Sequence, residues 1–184
     1  MIYERKFSEF DTAYAELPRP EVGEPDELRY ELASLAADNH SKNKRLAEAI
    51  GYWQDAFKMA PGETWRRASG RRIIDAQIEL NRWDDALASL ATYLGLYREV
   101  PGEDDMRLLE PRLLARLKRT DEALAQYEKL LADDKFGAAE WRMAAKECAI
   151  LYRDQKKNDD ALRVLQALLA HSADVDERQE AEYL

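Results

Sequence analysis

The sequence predicts an all-α protein of about four helix-turn-helix repeats, and three observations support this fold class. First, a six-residue pattern occurs four times, as RLAEAI at 45–50, RWDDAL at 82–87, RTDEAL at 119–124 and KNDDAL at 157–162. Second, its alanines (Ala49, Ala86, Ala123 and Ala161) are 37, 37 and 38 residues apart. Third, helical hydrophobic patterning flanks every copy, and the tripeptide PGE at 61–63 and 101–103 precedes two of the repeats. A fixed period in this range is typical of stacked helical hairpins.

The N-terminal segment predicts one amphipathic helix and a connector, together residues 1–25. Aromatic and aliphatic residues follow a spacing of four and three, which places them on a single stripe of a helix: Tyr3, Phe7, Phe10, Tyr14 and Leu17. Residues 17–25 contain three of the six prolines, so we expect an extended connector there. Three interpretations of the helix remain open: it caps the first hairpin, it mediates dimerisation, or it occupies the chain's own groove until a partner displaces it.

The repeat domain is predicted at 26–171. Its helix pairs are expected at 26–38 and 43–59, 63–80 and 83–99, 104–118 and 121–133, and 136–156 and 159–171. In the first pair we expect Leu28, Leu32 and Leu35 to face the second helix, and in the second pair Trp65 and Leu80 to do the same. Each repeated alanine is expected where paired helices cross closely, because a large side chain would not fit at such a crossing. Residues 172–184, which are polar and acidic, are predicted to form a C-terminal cap.

Composition restricts the classes of partner. The formal charge of −9 and the pI of about 4.9 disfavour nucleic acid, whose affinity depends on neutralising phosphates. No apolar run approaches the ~20 residues of a membrane span, and the N-terminus lacks the features of a secretory signal, so a cytoplasmic location is the default expectation. Cys148 is the single cysteine, and we expect a buried apolar residue rather than a disulfide, a zinc ligand or a reactive thiol.

Nothing in the sequence indicates catalysis, and we expect no catalytic residue, metal site or cofactor. The two histidines, His40 in a predicted turn and His171 at a predicted helix end, lack metal-ligand spacing and are expected to be exposed. The acidic residues before each repeated alanine recur because a carboxylate is favourable at the start of a helix. No serine or cysteine lies in a strained glycine turn of the kind that presents a nucleophile.

The residues from Leu113 to Leu131 resemble the junction between the two helices of a tetratricopeptide repeat. They contain the acidic-acidic-alanine start of a second helix, with Tyr127 one turn later, and Pro61 falls twelve residues after Ala49, where that family usually has a proline. The resemblance covers about 26–171 and implies a right-handed α-solenoid. The period is longer than that family's usual 34, which leaves related families of helical hairpins open. At the family's small-residue position this chain has Ile74 and Pro111, and we expect the helix with Pro111 to be kinked or to begin late.

The resemblance also implies a partner-binding groove lined by the first helix of each repeat. Eight groove residues are then read at offsets of 15, 11 or 8 before an alanine: Arg71, Asp75, Ile78, Leu108, Arg112, Lys146, Ile150 and Arg153. Arg116 neighbours this set and is included with it. This set is net basic within an acidic protein, which suits an acidic segment or a C-terminal carboxylate of a partner. The alternative is that these are ordinary solvated helix residues, some of them paired with nearby acids.

The resulting functional prediction is a protein–protein interaction module, meaning an adaptor, a co-chaperone or a chaperone for one client. It would bind a peptide or a partner helix in the concave groove without a cofactor. The alternative is a structural subunit that oligomerises, for example as a homodimer, through its N-terminal helix.

Overall fold

The computed structural model describes residues 2–18 and 26–182, and within these ranges it contains helices and no strands. The chain divides into two compact units, unit 1 at 1–82 and unit 2 at 83–184. The helices of unit 1 are α1 (Ile2–Glu16), α2 (Glu27–Lys42), α3 (Leu46–Met59) and α4 (Glu63–Glu79). Those of unit 2 are α5 (Trp83–Tyr97), α6 (Asp104–Arg116), α7 (Thr120–Leu131), α8 (Ala138–Asp154) and α9 (Asn158–Glu182). Over 2–18 and 26–182, no helix combines the length and the apolar character that a membrane span needs.

One turn conformation recurs after α2, α4, α6 and α8. The left-handed residues are Lys44, Asn81, Lys118 and Lys156, with φ of 59°, 57°, 62° and 60°. The next residue donates its backbone N–H to the carbonyl five positions earlier in every case: Arg45 to His40, Arg82 to Gln77, Arg119 to Leu114 and Lys157 to Tyr152, at 2.8–3.0 Å. This pattern is the Schellman motif that terminates helices. The four turns repeat at the same 37-, 37- and 38-residue spacing as the alanines, so the period of the sequence is also a period of the backbone.

The repeated alanines occupy equivalent buried positions. Ala49, Ala86 and Ala123 have no exposed surface, and Ala161 is 7% exposed. Each follows its left-handed turn residue by five positions, in the first or second turn of the helix. The prediction of an all-α fold built from helix-turn-helix repeats is confirmed.

The repeated hexapeptide places a basic residue three positions before an acid, and this spacing forms an ion pair at the starts of α3 and α7. The Arg45 guanidinium binds the Glu48 carboxylate at 2.9 Å, and Arg119 binds Glu122 through two contacts of 2.6 and 2.7 Å. Hydrogen bonding from Arg119 lowers the pKa of Glu122. A basic residue followed three positions later by an acid therefore spans the first turn of a second helix and places the carboxylate near the positive end of that helix.

The N-terminal helix packs on the first hairpin of its own unit. Tyr14 is 6% exposed and lies among Ala33 of α2 and Ala56 of α3. Its ring meets that of Tyr52 edge-on, with centroids 5.1 Å apart. The Arg29 guanidinium lies 4.9 Å from the Tyr14 ring centroid. The described part of the aromatic stripe is therefore used within the chain, whereas the side chains of Tyr3 and Phe7 lie outside the described residues.

The expectation that His40 is exposed in a turn was wrong, because His40 belongs to α2 and its side chain is buried. Only 1% of its surface is accessible, since α2 continues to Lys42 and turns this position toward α1 and α3. Its Nε2 is 3.1 Å from Asp11 Oδ1, and its ring stacks on Tyr52 with centroids 5.3 Å apart. The Tyr52 hydroxyl donates to the same carboxylate, and the pKa of Tyr52 is raised by burial and by that hydrogen bond. His171 is half-buried, and its ring lies 4.3 Å from that of Trp141.

The apolar face of α2 also differs from the prediction. Leu28 and Leu35 are 68% and 66% exposed, whereas Ala33, Ala36 and Ala37 are buried. The small residues form the face of α2 that packs inside unit 1, because they allow close approach to the neighbouring helices. Trp65 and Leu80, predicted to face α5, are 48% and 37% exposed.

The core of unit 2 is continuous from α6 to α9. It includes Leu124 and Tyr127 of α7, Cys148 of α8 and Val164 of α9. Cys148 is fully buried, as predicted, and burial raises the pKa of its thiol to about 12. The helix α6 begins at Asp104, as its predicted range has it, and runs through the buried Pro111 instead of starting late. The predicted end of the last helix at 171 was wrong, because α9 continues from Asn158 to Glu182.

Candidate partner-binding surfaces

The exposed face of α8 in unit 2 combines two apolar and two cationic side chains. Met143 and Ile150 are 40% and 49% exposed, and Lys146 and Arg153 are exposed as well. Their spacing of three, four and three residues puts them on one side of the helix. We call these four residues the α8 face. It belongs to a first helix, where the resemblance placed the groove.

Arg112 of α6 lies beside this face but is bound to a carboxylate of its own chain. Its Nε is 2.9 Å from Glu147 Oε2 and its Nη2 is 2.6 Å from Glu147 Oε1, a bidentate arrangement. The Tyr127 hydroxyl donates to the same carboxylate at 2.9 Å. Hydrogen bonding to Glu147 raises the pKa of Arg112, while burial, together with Glu147, raises the pKa of Tyr127. One carboxylate thus joins α6, α7 and α8, and we call this group the Glu147 clamp.

The other residues predicted in unit 2 are distributed unequally. Arg116 is exposed, with its guanidinium 5.9 Å from the centroid of the Trp83 ring, and Arg153 contacts Asp154 at 3.0 Å. Leu108, by contrast, has no exposed surface and belongs to the core between α6 and α8. Its predicted place in the groove is therefore corrected: the same offset gives the exposed Lys146 in α8 and the half-buried Arg71 in α4, but it reaches the interior in α6.

In unit 1 the predicted residues lie on α4, at different depths. Asp75 is exposed and lines a cavity of about 330 Å³ between α2, α3 and α4. Arg71 and Ile78 are half-buried and do not line it. The floor of the cavity includes Trp53, and the full set of lining residues is Asp38, Ser41, Lys42, Leu46, Trp53, Arg72, Asp75, Ala76 and Glu79. This cavity has mixed charge, unlike the cationic α8 face.

The seam between α2 and α4 extends beyond the cavity. The Arg72 guanidinium binds Asp38 and lies 5.8 Å from the centroid of the Trp53 ring. Further along the seam, the rings of Tyr30 and Trp65 meet edge-on with centroids 6.3 Å apart. Trp65 is exposed and Tyr30 is half-buried, so this pair gives unit 1 a second surface, besides the charged cavity, that could accept side chains of a partner.

Sequence reasoning missed several residues that shape these surfaces, although some left a signal. Met143 lies two helical turns before Ile150, so the spacing alone could have placed it on the α8 face. Ion pairs between successive repeats join residues that are 34 or 35 positions apart: Asp38 with Arg72, Arg112 with Glu147, and Glu128 with Arg163. Opposite charges about one period apart therefore indicate an ion pair between successive repeats. Applied to the sequence, this rule would have predicted that Arg112 pairs with Glu147 and is not available to a partner.

Comparison with solved structures supports the fold. No family model matches the sequence, and no curated protein matches it. The chain is similar to the crystal structure of MamA, with a TM-score of 0.61 and 13% identity over 95% of each chain. It is also similar to YrrB, described as a TPR protein with an unusual peptide-binding site, with a TM-score of 0.58 and 18% identity over 98% of this chain and 84% of that one. A third similar structure contains TPR-like repeats of a putative kinesin light chain from Podosopora anserina, with a TM-score of 0.62 and 15% identity over 94% of this chain and 88% of that one.

Proposed function

We propose that this chain, which has the fold of tetratricopeptide-repeat proteins, is a protein–protein interaction module that binds a peptide or partner helix on exposed faces of its first helices. Its biological role would be that of an adaptor, a co-chaperone or a chaperone for one client. The fold supports the general class, because similar structures include a TPR protein described as having a peptide-binding site. The α8 face supports the specific proposal.

The observation that carries the proposal is the chemistry of the α8 face. Two exposed apolar side chains alternate with two cations on a preformed helix, so the face offers apolar contact area and charge complementarity together. Arg116 of α6 adds a further exposed cation. A partner segment with aliphatic side chains and carboxylates at alternate positions matches this surface, and a free C-terminal carboxylate would have the same charge.

The Glu147 clamp explains why Arg112 contributes rigidity rather than recognition. Its guanidinium already makes two charged hydrogen bonds to Glu147, so an incoming carboxylate would have to compete with that pair. Replacing Arg112 by glutamate would place two carboxylates together and disturb α6, α7 and α8 at once. A test of binding must therefore leave the clamp intact and change Lys146 and Arg153 instead.

The experiment measures binding of fluorescein-labelled 12-residue peptides by fluorescence anisotropy. One peptide alternates leucine and glutamate and ends in a free carboxylate; a second is identical but amidated; a third replaces each glutamate by lysine. Wild type is compared with Lys146→Glu/Arg153→Glu and with a control of the same charge change, Lys129→Glu/Lys135→Glu, at two other exposed lysines. Circular dichroism confirms that both variants retain wild-type helicity.

We expect the acidic peptides to bind wild type and the control, and to bind the α8-face variant at least tenfold more weakly. Binding should weaken as the salt concentration rises, because salt screens the attraction between exposed charges and the screening length is already about 8 Å at physiological ionic strength. A difference between the free and amidated peptides would show that a terminal carboxylate is recognised. Equal binding of the acidic and basic peptides, or equal loss in both variants, would contradict the proposal.

A further inference from the structure

The outer face of α9 carries three exposed leucines at positions that are buried or half-buried in the preceding repeats. Leu162, Leu165 and Leu169 are 56%, 42% and 71% exposed. Counting from the repeated alanine, they correspond to Leu124, Tyr127 and Leu131 of α7, of which Leu124 and Tyr127 are 4% and 3% exposed and Leu131 is half-buried. The same positions in α5 include Leu90 and Leu94, at 0% and 2%, and those in α3 include Ile50 and Trp53, at 4% and 5%.

The difference arises because α7 is covered by α8, whereas no described residue of unit 2 covers this side of α9. Leu124 and Tyr127 pack with Ala144, Ala145 and Cys148 of α8, and the Trp141 indole N–H donates to the Leu131 carbonyl. The α9 leucines therefore form a face of the kind that docks another helix in the rest of the chain. We call Leu162, Leu165 and Leu169 the α9 seam.

We propose that the α9 seam binds the α9 seam of a second copy of this chain, in an antiparallel two-fold arrangement. The seam has the three-and-four spacing of a coiled-coil contact, and its middle member is Leu165. A two-fold axis near Leu165 would bring Leu162 of one copy beside Leu169 of the other. Such an isologous contact buries the same patch on both copies and closes after two.

The distribution of charge along α9 supports a second copy over an unrelated helix. Residues 156–163, at or near its beginning, include three bases (Lys156, Lys157 and Arg163) and two acids (Asp159 and Asp160), a net charge of +1, whereas residues 172–182 include five acids and one arginine, a net charge of −4. Antiparallel pairing brings the acidic end of each helix toward the basic end of the other; parallel pairing would bring like charges together.

The first test measures the mass of the full chain by sedimentation equilibrium between 1 and 100 µM. We expect wild type to reach twice the chain mass of 21.3 kDa within this range. Leu165→Glu/Leu169→Glu should remain monomeric throughout, and the control Leu28→Glu/Leu35→Glu, which changes two exposed leucines in unit 1, should dimerise like wild type. Circular dichroism verifies that each variant is folded.

The second test determines orientation by disulfide formation under mild oxidation. A mixture of Leu162→Cys and Leu169→Cys chains should form the mixed dimer faster than either chain alone forms its own dimer, because only the antiparallel arrangement places these positions together. Cys148 is buried in each chain and remains unreactive. A monomeric wild type at 100 µM, a dimer unaffected by the α9 substitutions, or faster self-pairing of each cysteine variant would overturn the proposal.

Discussion

Replacing Lys118 by glycine should stabilise unit 2. Lys118 is exposed and has a φ of 62°, a left-handed conformation that places its Cβ close to the backbone carbonyl oxygen. Lys118 lies in the turn that terminates α6. The backbone N–H of the next residue, Arg119, donates to the Leu114 carbonyl at 2.9 Å. Glycine has no Cβ and is the residue most often found at this position of the motif.

The size of the effect follows from two opposing terms. Relief of the left-handed strain is worth about 1–2 kcal/mol. Glycine loses more conformational freedom on folding than other residues, which costs about 0.5–1 kcal/mol. The expected net gain in the free energy of unfolding therefore lies between about 0 and 1.5 kcal/mol and is centred near about 0.75 kcal/mol. Lys118→Ala should give almost no gain because alanine keeps the Cβ, and Asn81→Gly should give less than Lys118→Gly because asparagine tolerates this conformation better than lysine does.

The assay is equilibrium unfolding in urea, followed by circular dichroism of the helix signal. A stabilised variant shifts the midpoint to higher urea without changing the slope of the transition. Lys118→Ala serves as the matched control because it removes the same long side chain without removing the Cβ. If Lys118→Gly lowers the midpoint, or if alanine and glycine raise it equally, relief of backbone strain at position 118 does not account for the change in the free energy of unfolding.

Three further predictions concern the core and the charges of unit 2. Ala123→Leu should destabilise the protein by about 1–3 kcal/mol by overpacking a site with no exposed surface, whereas Ala125→Leu on the exposed side of the same helix should stay within about 0.5 kcal/mol; urea unfolding compares them. Cys148 should resist iodoacetamide at pH 8 until urea unfolds the chain, because its thiol is buried and has a pKa of about 12. Mass spectrometry at increasing urea concentrations measures the labelling, and rapid labelling of the native chain would contradict the packing. Hydrogen bonding from Arg107 of α6 lowers the pKa of Asp133, so the stability that Asp133 contributes is present above the ordinary aspartate pKa and is lost as pH falls through the lowered pKa. Asp133→Asn should therefore reduce the loss of unfolding free energy at acidic pH, and Asp134→Asn should not.

The Arg107–Asp133 pair behind the last prediction also illustrates how far the loop before α8 is fixed by side chains. The Arg107 guanidinium contacts Asp133 and lies 3.1 Å from Asp104, while Asp104 accepts the backbone N–H of Gly137 at 3.1 Å. The same guanidinium lies 5.1 Å from the centroid of the Phe136 ring. These contacts hold the connection between α7 and α8 against the start of α6, so Asp133→Asn should weaken the pair without removing the hydrogen bond at Gly137.

Periodic features were the part of the fold that could be predicted from sequence. The alanine positions, the helix pairs and the turns follow from local rules about helix starts, small residues at crossings and helix-terminating motifs, and these rules act within a few residues of each site. The same rules do not determine which face of α2 is buried. Leu28 and Leu35 formed a stronger apolar pattern than the three alanines, but close packing selected the alanines and left the leucines outside.

The candidate sites were less predictable because they depend on contacts between helices that are distant in sequence. Arg112 had the right offset for a groove residue, and only the position of Glu147 on the neighbouring α8 shows that its charge is already engaged. His40 has no pattern of its own, and its burial depends on Asp11 of α1, which lies 29 residues earlier. A repeat offset therefore locates a helix face, whereas the ionic partners on that face are set by the tertiary structure.

The first and last described helices, α1 and α9, differ in how their apolar faces are covered, and this difference bears on assembly. In a repeat protein each interior repeat covers the face of its neighbour, so the terminal faces need a separate solution. The α1 helix supplies one at the N-terminal end by placing Tyr14 over the small residues of α2. At α9, three leucines stand where interior repeats bury theirs. Pairing of the α9 seam with that of a second copy, as proposed above, would be isologous, and it would close at two copies instead of forming a filament.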